Sequence, residues 1–344
     1  MITIGVTKTF YPVGQGGFYS ERIFCDGTLC EFVYDCGAVN KGESKKAFQE
    51  RMDSVIGNSG ISQVDFLVIS HLDEDHINGI LNLKKYLEGQ GDGTLFILPD
   101  PTPLDLLLFF ERASEVSIDW FLNEKRLLKI SKGEKFENSD AVILNADLAG
   151  KTYSHKQLFS VNRELCWRIK FYVDSSKYEN RLSVEDVELI HSVKTFDDFK
   201  SRRKELKNVY KKVYRGVNGS SMAMISFPMV GKKTGDGGQD CFMTWMNGDI
   251  CLKTRKELSD IEKHFKEIEY ANCDFQIPHH GSHHNLKILP KIFRKMRTYI
   301  NAGKDNKYGH PSGTILKMNE LEGIECRWIT EEDKSVIQHE WWTF

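Results

Sequence analysis

Residues 70–80 read SHLDEDHINGI, which sets two histidines and three carboxylates between His71 and His76. Solvated surfaces scatter their charge and cores exclude it, so this density of imidazole and carboxylate points to a metal site. The preceding VDFLVIS (64–70) is almost continuously apolar and reads as a buried strand. Alternate residues of an extended segment share a face, so His71, Asp73 and Asp75 can enter one cavity where that strand ends. His76 then opens the helical pattern HINGILNL. Imidazole with carboxylate suits Zn, Mn or Fe, and extra oxygen ligands shift the balance toward Mn. A helix N-cap with an acidic first turn would account for Asp73 to Asp75, but it leaves His71 and His76 unexplained.

Three more segments carry such residues at the ends of apolar runs. NGD (247–249) follows CFMTWM and offers Asp249. PHHGSHHN (278–285) follows CDFQIP and contains His279, His280, His283 and His284. YGHPSG (308–313) adds His310. A single aspartate at a strand end is an ordinary turn residue. The convergence is what matters: seven of the eleven histidines fall in three strand-end loops, which argues for one polynuclear centre.

The elements that must position these residues read as strand, loop and helix in succession, an α/β arrangement with its chemistry at the carboxyl ends of strands. INGILNLKKYL, KTRKELSDIEKHF and LKILPKIFRKM carry helical patterns, and 2–10, 21–25 and 30–35 read as a β-meander. GKKTGDGGQD (231–240), between two apolar runs, reads as a hairpin loop. Two stretches look like additions. Residues 101–130 carry a mixed apolar and acidic helical pattern, and 194–215 read as a basic helix with nine Lys/Arg against three Asp/Glu. Such a helix is either a solvated face or a contact for a phosphate backbone. Residues 286–307 hold seven Lys/Arg against one Asp, again beside the histidine loops.

With 344 residues, 40% hydrophobic and 28% charged, the chain can bury a sizeable core. A formal net charge of −2 gives no global field toward DNA or anionic lipid. The longest apolar run, Leu106–Phe110, falls far short of the ~18 residues of a spanning helix. MITIGVTKTF lacks the pattern of a signal peptide, so a cytoplasmic protein is expected. The eight cysteines include no C-x-x-C pair, and Cys25, Cys30 and Cys36 read as strand residues of a reducing compartment.

Taken together, these segments resemble the metallo-β-lactamase superfamily, whose signature is H-x-H-x-D-H after a buried strand. More narrowly they resemble the hydrolase domain of the DNA-uptake competence protein ComEC and its stand-alone relatives. The similar stretches are VGQGGFY (13–19), FVYDCG (32–37), VISHLDEDHINGI, NGSSMAMI (218–225), WMNGDI (245–250), FQIPHHGS (275–282) and NKYGHPS (306–312). The resemblance implies a four-layer αββα sandwich formed by one domain, residues 1–344, with insertions at about 101–130 and 185–216. It implies two divalent metal ions, Zn or Mn. His71 and Asp73 would bind one; Asp75, His76 and His280 the other; Asp249 would bridge them. Asp75, His279 and His310 would act at the substrate, and either His279 or His280 could be the ligand. Asp73 stands where the superfamily usually has a second histidine. A further metal histidine expected before the bridging aspartate has no counterpart, and Gly17 replaces a frequent aspartate.

Two metals can hold a hydroxide nucleophile at neutral pH and neutralise charge on a phosphoryl or acyl oxygen. The oxygen-rich donors, with His279, His310, Lys304 and Lys307 nearby, favour phosphodiesters. The expectation is therefore a dinuclear metal-dependent phosphodiesterase or nuclease that uses a metal-bound hydroxide on nucleic acid. A hydrolase of a small nucleotide or phosphorylated metabolite, with 101–130 and 194–215 as a lid, is the alternative. A non-catalytic binding module would be expected to have lost some of these ligands.

Overall fold

The computed structural model describes residues 3–25, 27–88, 93–133, 140–161, 167–174, 182–213, 220–228, 242–266 and 271–343. The expected hairpin loop at 231–240 lies outside them. Among the described residues there are two eight-stranded sheets. The first opens with the expected meander: β1 (Thr3–Phe10), β2 (Gly16–Cys25) and β3 (Thr28–Ala38) pair antiparallel. Parallel to β3 follow β4 (Phe66–Val68), β5 (Leu95–Pro99), β6 (Leu127–Ser131) and β8 (Thr152–Ser154). The edge beside β1 is closed by β16 (Val336–Thr343). The second sheet runs β15 (Glu325–Ile329), β14 (Lys295–Asn301), β13 (Asn272–Gln276), β12 (Phe242–Met246), β11 (Ser221–Pro228), β10 (Trp167–Asp174), β9 (Leu158–Ser160) and β7 (Val142–Ile143).

Alternation along single strands shows how the layers stack. In β4, Phe66 and Val68 enter a core shared by both sheets, while Leu67 faces a second core lined by helices. In β11, Met222 and Met224 point into the shared core, and Ala223 and Ile225 into a third. Strands apolar on both faces are what a sheet covered on both sides requires. The second core is covered by α1 (Lys45–Gly57), α3 (Ile80–Tyr86), α4 (Pro103–Arg112), α5 (Glu115–Asn123), α6 (Val184–His191) and α7 (Phe196–Val213). The third is covered by α8 (Arg255–His264) and α9 (Gly313–Leu321). Three cores between four layers make an α/β sandwich of αββα order with two helical pairs added to one outer layer.

Those pairs are the stretches set apart in the sequence. Thr102 caps α4 in a reciprocal box with Asp105, and Pro103 occupies the first turn, where a missing N–H costs nothing. The other oxygen of Asp105 accepts the Ser220 N–H at 2.6 Å, tying α4 to the start of β11. In α7, Phe199, Leu206 and Val209 are buried against this assembly, with Phe199 5.7 Å from Phe110 between ring centroids. The last residues of the 101–130 stretch are not helical but form β6.

One expected element is absent. LKILPKIFRKM (286–296) is not a helix: Pro290 disfavours it, Leu286 bridges to Leu252, and the segment ends inside β14. Leu286 and Leu289 are buried, which explains its apolar spacing without a helix. The basic residues here are also less available than their count suggests. Arg297 grips Asp274 through two bonds of 2.6 and 2.9 Å and reaches Glu340, while Lys304 pairs with Glu332. Cys30 and Cys36 are free buried thiols, but Cys25 is disulfide-bonded, against the expectation of reduced strand cysteines. No helix among the described residues is long and apolar enough to cross a membrane.

The two sheets are also tied by charge. Lys8 on β1 lies 3.1 Å from Asp274 on β13, both fully buried, and its ammonium also donates to the Phe242 carbonyl. Lys8→Met strands part of that charge, and because Arg297 still holds Asp274 the loss of unfolding free energy should sit near the lower end of such losses, about 3 kcal/mol by urea titration. A second expectation concerns acid. His155 accepts the Val173 N–H at 3.2 Å on Nδ1, and His264 donates to the Phe171 carbonyl at 2.7 Å, with the rings 4.6 Å apart. Burial, reinforced by His264 and nearby lysines, depresses His155 to about 3; burial and Lys170 depress His264 to about 4. Both therefore stay neutral when folded, whereas the unfolded chain takes up protons below about pH 6.5. Stability should fall as pH drops from there toward 4, and His155→Asn, whose Oδ1 can still accept from Val173, should flatten that fall in urea midpoints taken across the range.

Candidate metal centre

The carboxyl ends of β3, β4, β12, β13 and β14 meet at one edge of the sandwich. Close backbone approach makes this possible. The short helix α2 (Glu74–Ile77) lies directly on β3, where Gly79 N–H donates to the Cys36 carbonyl and the Asn78 side chain pairs both ways with the Ala38 backbone. A Cβ on Gly37 would fall 2.7 Å from the His76 backbone, so the DCG sequence needs its glycine. Gly248, at φ +51°, plays the same part opposite Ser70: a Cβ there would lie 2.5 Å from the Ser70 side chain. This contact brings Asp249 up to His71.

The histidines are held by partners that fix which nitrogen they present. Asp35, fully buried, accepts three donors: Ser70 N–H at 2.7 Å, Ser70 Oγ–H at 2.8 Å and His76 Nδ1–H at 2.8 Å. Ser70 gives its one hydroxyl proton to Asp35, so it must accept from His71 Nδ1, 2.9 Å away. His280 Nδ1 lies 2.9 Å from the Asn301 carbonyl, which can only accept. His71, His76 and His280 therefore each hold a proton on Nδ1 and turn Nε2 toward the cavity, the nitrogen that an imidazole ligand of this orientation would offer a metal.

Those Nε2 atoms converge on carboxylates. His71 Nε2 is 3.6 Å from Asp249 Oδ2, and His76 Nε2 is 3.5 Å from Asp249 Oδ1. His280 Nε2 is 3.1 Å from Asp75 Oδ2. Two groups can each surround a cation, His71 with His76 and Asp249, and Asp75 with His76 and His280. Nε2 of His71 and of His76, Nδ1 of His279 and Oδ1 of Asp249 are buried without a hydrogen-bond partner. Orphaned buried donors and acceptors are costly, and four around one space is the pattern of a cation site. The donor set thus fits divalent metal.

The electrostatics agree. Burial alone would raise the Asp249 carboxyl, but His279, His71 and His76 hold it well below the usual range; His76 and His280 do the same for Asp75. Burial works against charge on His76, yet Asp35 and Asp75 keep it well above an ordinary histidine. The cluster balances its acids with protons where cations would serve. Among the described residues, the non-glycine positions with positive φ are Asp35, His279 and His280, at 55°, 49° and 53°. Each costs on the order of 1–3 kcal/mol, and such strain gathers where function demands it.

The structure brings His71, Asp75, His76, Asp249 and His280 together within bonding reach of common points. Asp73 is more peripheral, 3.8 Å from His71 Nε2 and 3.5 Å from Arg112. His279 faces Asp249 Oδ2 at 3.4 Å, on the side of His71, while His280 belongs with Asp75. His310 stands farther out, its ring centroid 5.5 Å from that of His279, with Gln15 Nε2 3.5 Å from its Nδ1. His283 and His284 lie ring against ring, 3.9 Å apart between centroids and tilted by 40°. Sequence reasoning missed Asp35, Ser70, Asn301 and Arg112. Only Asp35 left a signal, a lone charge within the apolar FVYDCG.

No family model and no curated protein matches the sequence. Among solved structures the chain is similar to the metallo-β-lactamase fold protein YhfI from Bacillus subtilis, at 9% identity and TM-score 0.42, covering 97% of this chain and 99% of that one. It is similar to human tRNase Z, short form, at 9% identity and TM-score 0.42, covering 96% and 98%. It is also similar to unliganded yeast PDE1, at 9% identity and TM-score 0.44, covering 97% and 99%.

Asp35→Asn tests the positioning shell, because asparagine tolerates the left-handed backbone at residue 35 while losing the charge that orients His76. The variant should fold, and its Mn²⁺ or Zn²⁺ affinity, read by calorimetry, should drop about 10- to 100-fold. Unchanged affinity would remove Asp35 from the site.

Proposed function

We propose that this chain is a metal-dependent hydrolase of phosphodiesters in nucleic acids or nucleotides, built on a metallo-β-lactamase-like sandwich and using two divalent ions, Zn or Mn. The observation that carries this reading is that the two oxygens of Asp249 face different histidines, His71 and His76. A carboxylate so placed suits a bridge between ions. His71, Asp73 and Asp249 would hold one, and Asp75, His76, His280 and Asp249 the other. When bound, the ions would supply Lewis-acid activation of water and of a phosphoryl oxygen.

The remaining groups suit an anionic substrate. Burial and His280 lower His310 to about 4, so it is neutral at pH 7. With Gln15 beside Nδ1, its Nε2 is the protonated atom and can donate to a phosphate oxygen or to a leaving group. His279 is likewise lowered by burial, against the pull of Asp249, and can orient substrate beside the bridging carboxylate. On α7, Lys200, Lys204, Lys207 and Lys211 recur at helical spacing and are exposed. The helix is docked through its apolar face, and Arg203 and Lys212 are tied to Glu115 and Asp186. The lysine stripe is thus a fixed surface that suits a polynucleotide backbone.

The test is cleavage of single-stranded DNA, duplex DNA, RNA and a bis-aryl phosphodiester with Mn²⁺, Zn²⁺ or Mg²⁺. Asp249→Ala should abolish turnover by at least about a thousandfold while the thermal midpoint holds; retained turnover would sink the bridging assignment. Neutralising Lys200, Lys204, Lys207 and Lys211 together should weaken polynucleotide binding and reduce its salt dependence. If only the small diester is cleaved and the lysine variant matches the parent, the substrate is a small nucleotide and α4 to α7 form a lid.

A further inference from the structure

Among the described residues, three of the four sheet edges are short. β7 has two residues, β8 three and β15 five. On β15 the exposed Glu325 and Arg327 also pair with each other at 2.6 Å. The fourth edge, β16, is eight residues long, and among the described residues it pairs with β1 alone. A bare row of N–H and C=O groups recruits another strand, so natural edges are guarded by lysine, proline, bulges or brevity. VIQHEWWT has neither lysine nor proline, and it follows β1 in unbroken register from Thr3↔Thr343 to Phe10↔Val336. Its one carboxylate, Glu340, turns inward and is offset by Arg297 at 3.1 Å and Lys8 at 3.5 Å. The outward face of the strand is open too. Ile337 is 52% and Trp341 58% exposed. Trp341 lies on Gly5, where a Cβ would fall 2.3 Å from its ring, with Phe24 6.3 Å away between centroids. Leu29, opposite Phe24 on β3, continues this exposed apolar strip.

We infer that β16 pairs with β16 of a second copy of this chain, antiparallel about a two-fold axis at His339, so that the first sheets of the two copies run on as one. The strand itself selects this register. A two-fold axis perpendicular to the sheet keeps outward faces together, so only residues of one face can stand opposite each other. Centred on His339, Ile337 meets the partner's Trp341 and Gln338 meets the partner's Glu340. The first is a β-branched residue against an aromatic, the second an amide against a carboxylate, and each occurs twice by symmetry. Centred on Glu340, two carboxylates would stand opposite each other. Centred on Gln338, Ile337 would meet the partner's His339 and Val336 the partner's Glu340. The strand is thus complementary to itself in charge and in apolar surface, and this favours a second copy over an unrelated strand.

The experiment is sedimentation equilibrium of the full chain from about 1 to about 100 μM, the range in which a small interface associates. The parent should pass from monomer to dimer as concentration rises. His339→Glu sets two carboxylates against each other at the axis, and Ile337→Lys sets an ammonium against the partner's Trp341. Each should raise the dissociation constant tenfold or more, while circular dichroism shows the parent's fold. An equal mixture of His339→Glu and His339→Lys should associate more tightly than either variant alone, because opposite charges then meet at the axis. If the variants at His339 do not fold, Ile337→Lys, at an exposed position, decides. A parent that stays monomeric throughout, a dimer indifferent to these substitutions, or a charge-swapped mixture that fails to associate would overturn the proposal.

Discussion

The site depends on one buried carboxylate. Asp35 takes three protons' worth of hydrogen bonding on two oxygens, and through it Ser70, His71 and His76 acquire fixed orientations. Its backbone is strained to do so. The strain persists because β3 is locked between β2 and β4 and because α2 lies on its end through Gly37 and Asn78. Three layers of packing thus hold one side chain, and that side chain sets the tautomer of the histidines that would bind metal.

The sandwich explains why so many polar groups can be buried here. Parallel strands deliver their carboxyl ends to one edge, and each end contributes a short loop rather than a long one. His71, Asp249 and His280 follow β4, β12 and β13 by a few residues, so their positions are fixed by the sheets. The helical additions, by contrast, bring Arg112 to this edge and present α7 beside it. The candidate ligands come from the strand ends of the sheets, and the added helices border them.

Much of this was legible in the sequence. A buried strand followed by HLDEDH has few explanations other than a metal, and the later loops repeated the residue types. The meander, the α/β alternation and the basic helix α7 follow the patterns expected of them. What was not legible has physical reasons. LKILPKIFRKM has apolar spacing because Leu286 and Leu289 enter a core, not because it coils, and Pro290 was the signal to weigh. The charge of 286–307 overstated its reach toward the site, since Arg297 turns inward to Asp274, a pairing across strands that no local pattern encodes. Asp35 and Ser70 look like ordinary strand and turn residues until the fold places them 2.8 Å apart. Whether His279 or His280 sits with Asp75 was undecidable from HHG, because both take a left-handed backbone that no local pattern announces.

The bond from Ser220 N–H to Asp105 has a consequence for motion. Ser221, the next residue and the first of β11, accepts the Asp249 N–H on its Oγ at 3.0 Å, so α4 and the loop bearing Asp249 are joined through two adjacent residues. Opening of this short stretch would release both bonds together. Such an opening would couple α4 to the loop bearing Asp249, and exchange of the Ser220 and Asp249 amides would report it. A local opening at the foot of α4 would therefore bear on the candidate metal centre as well.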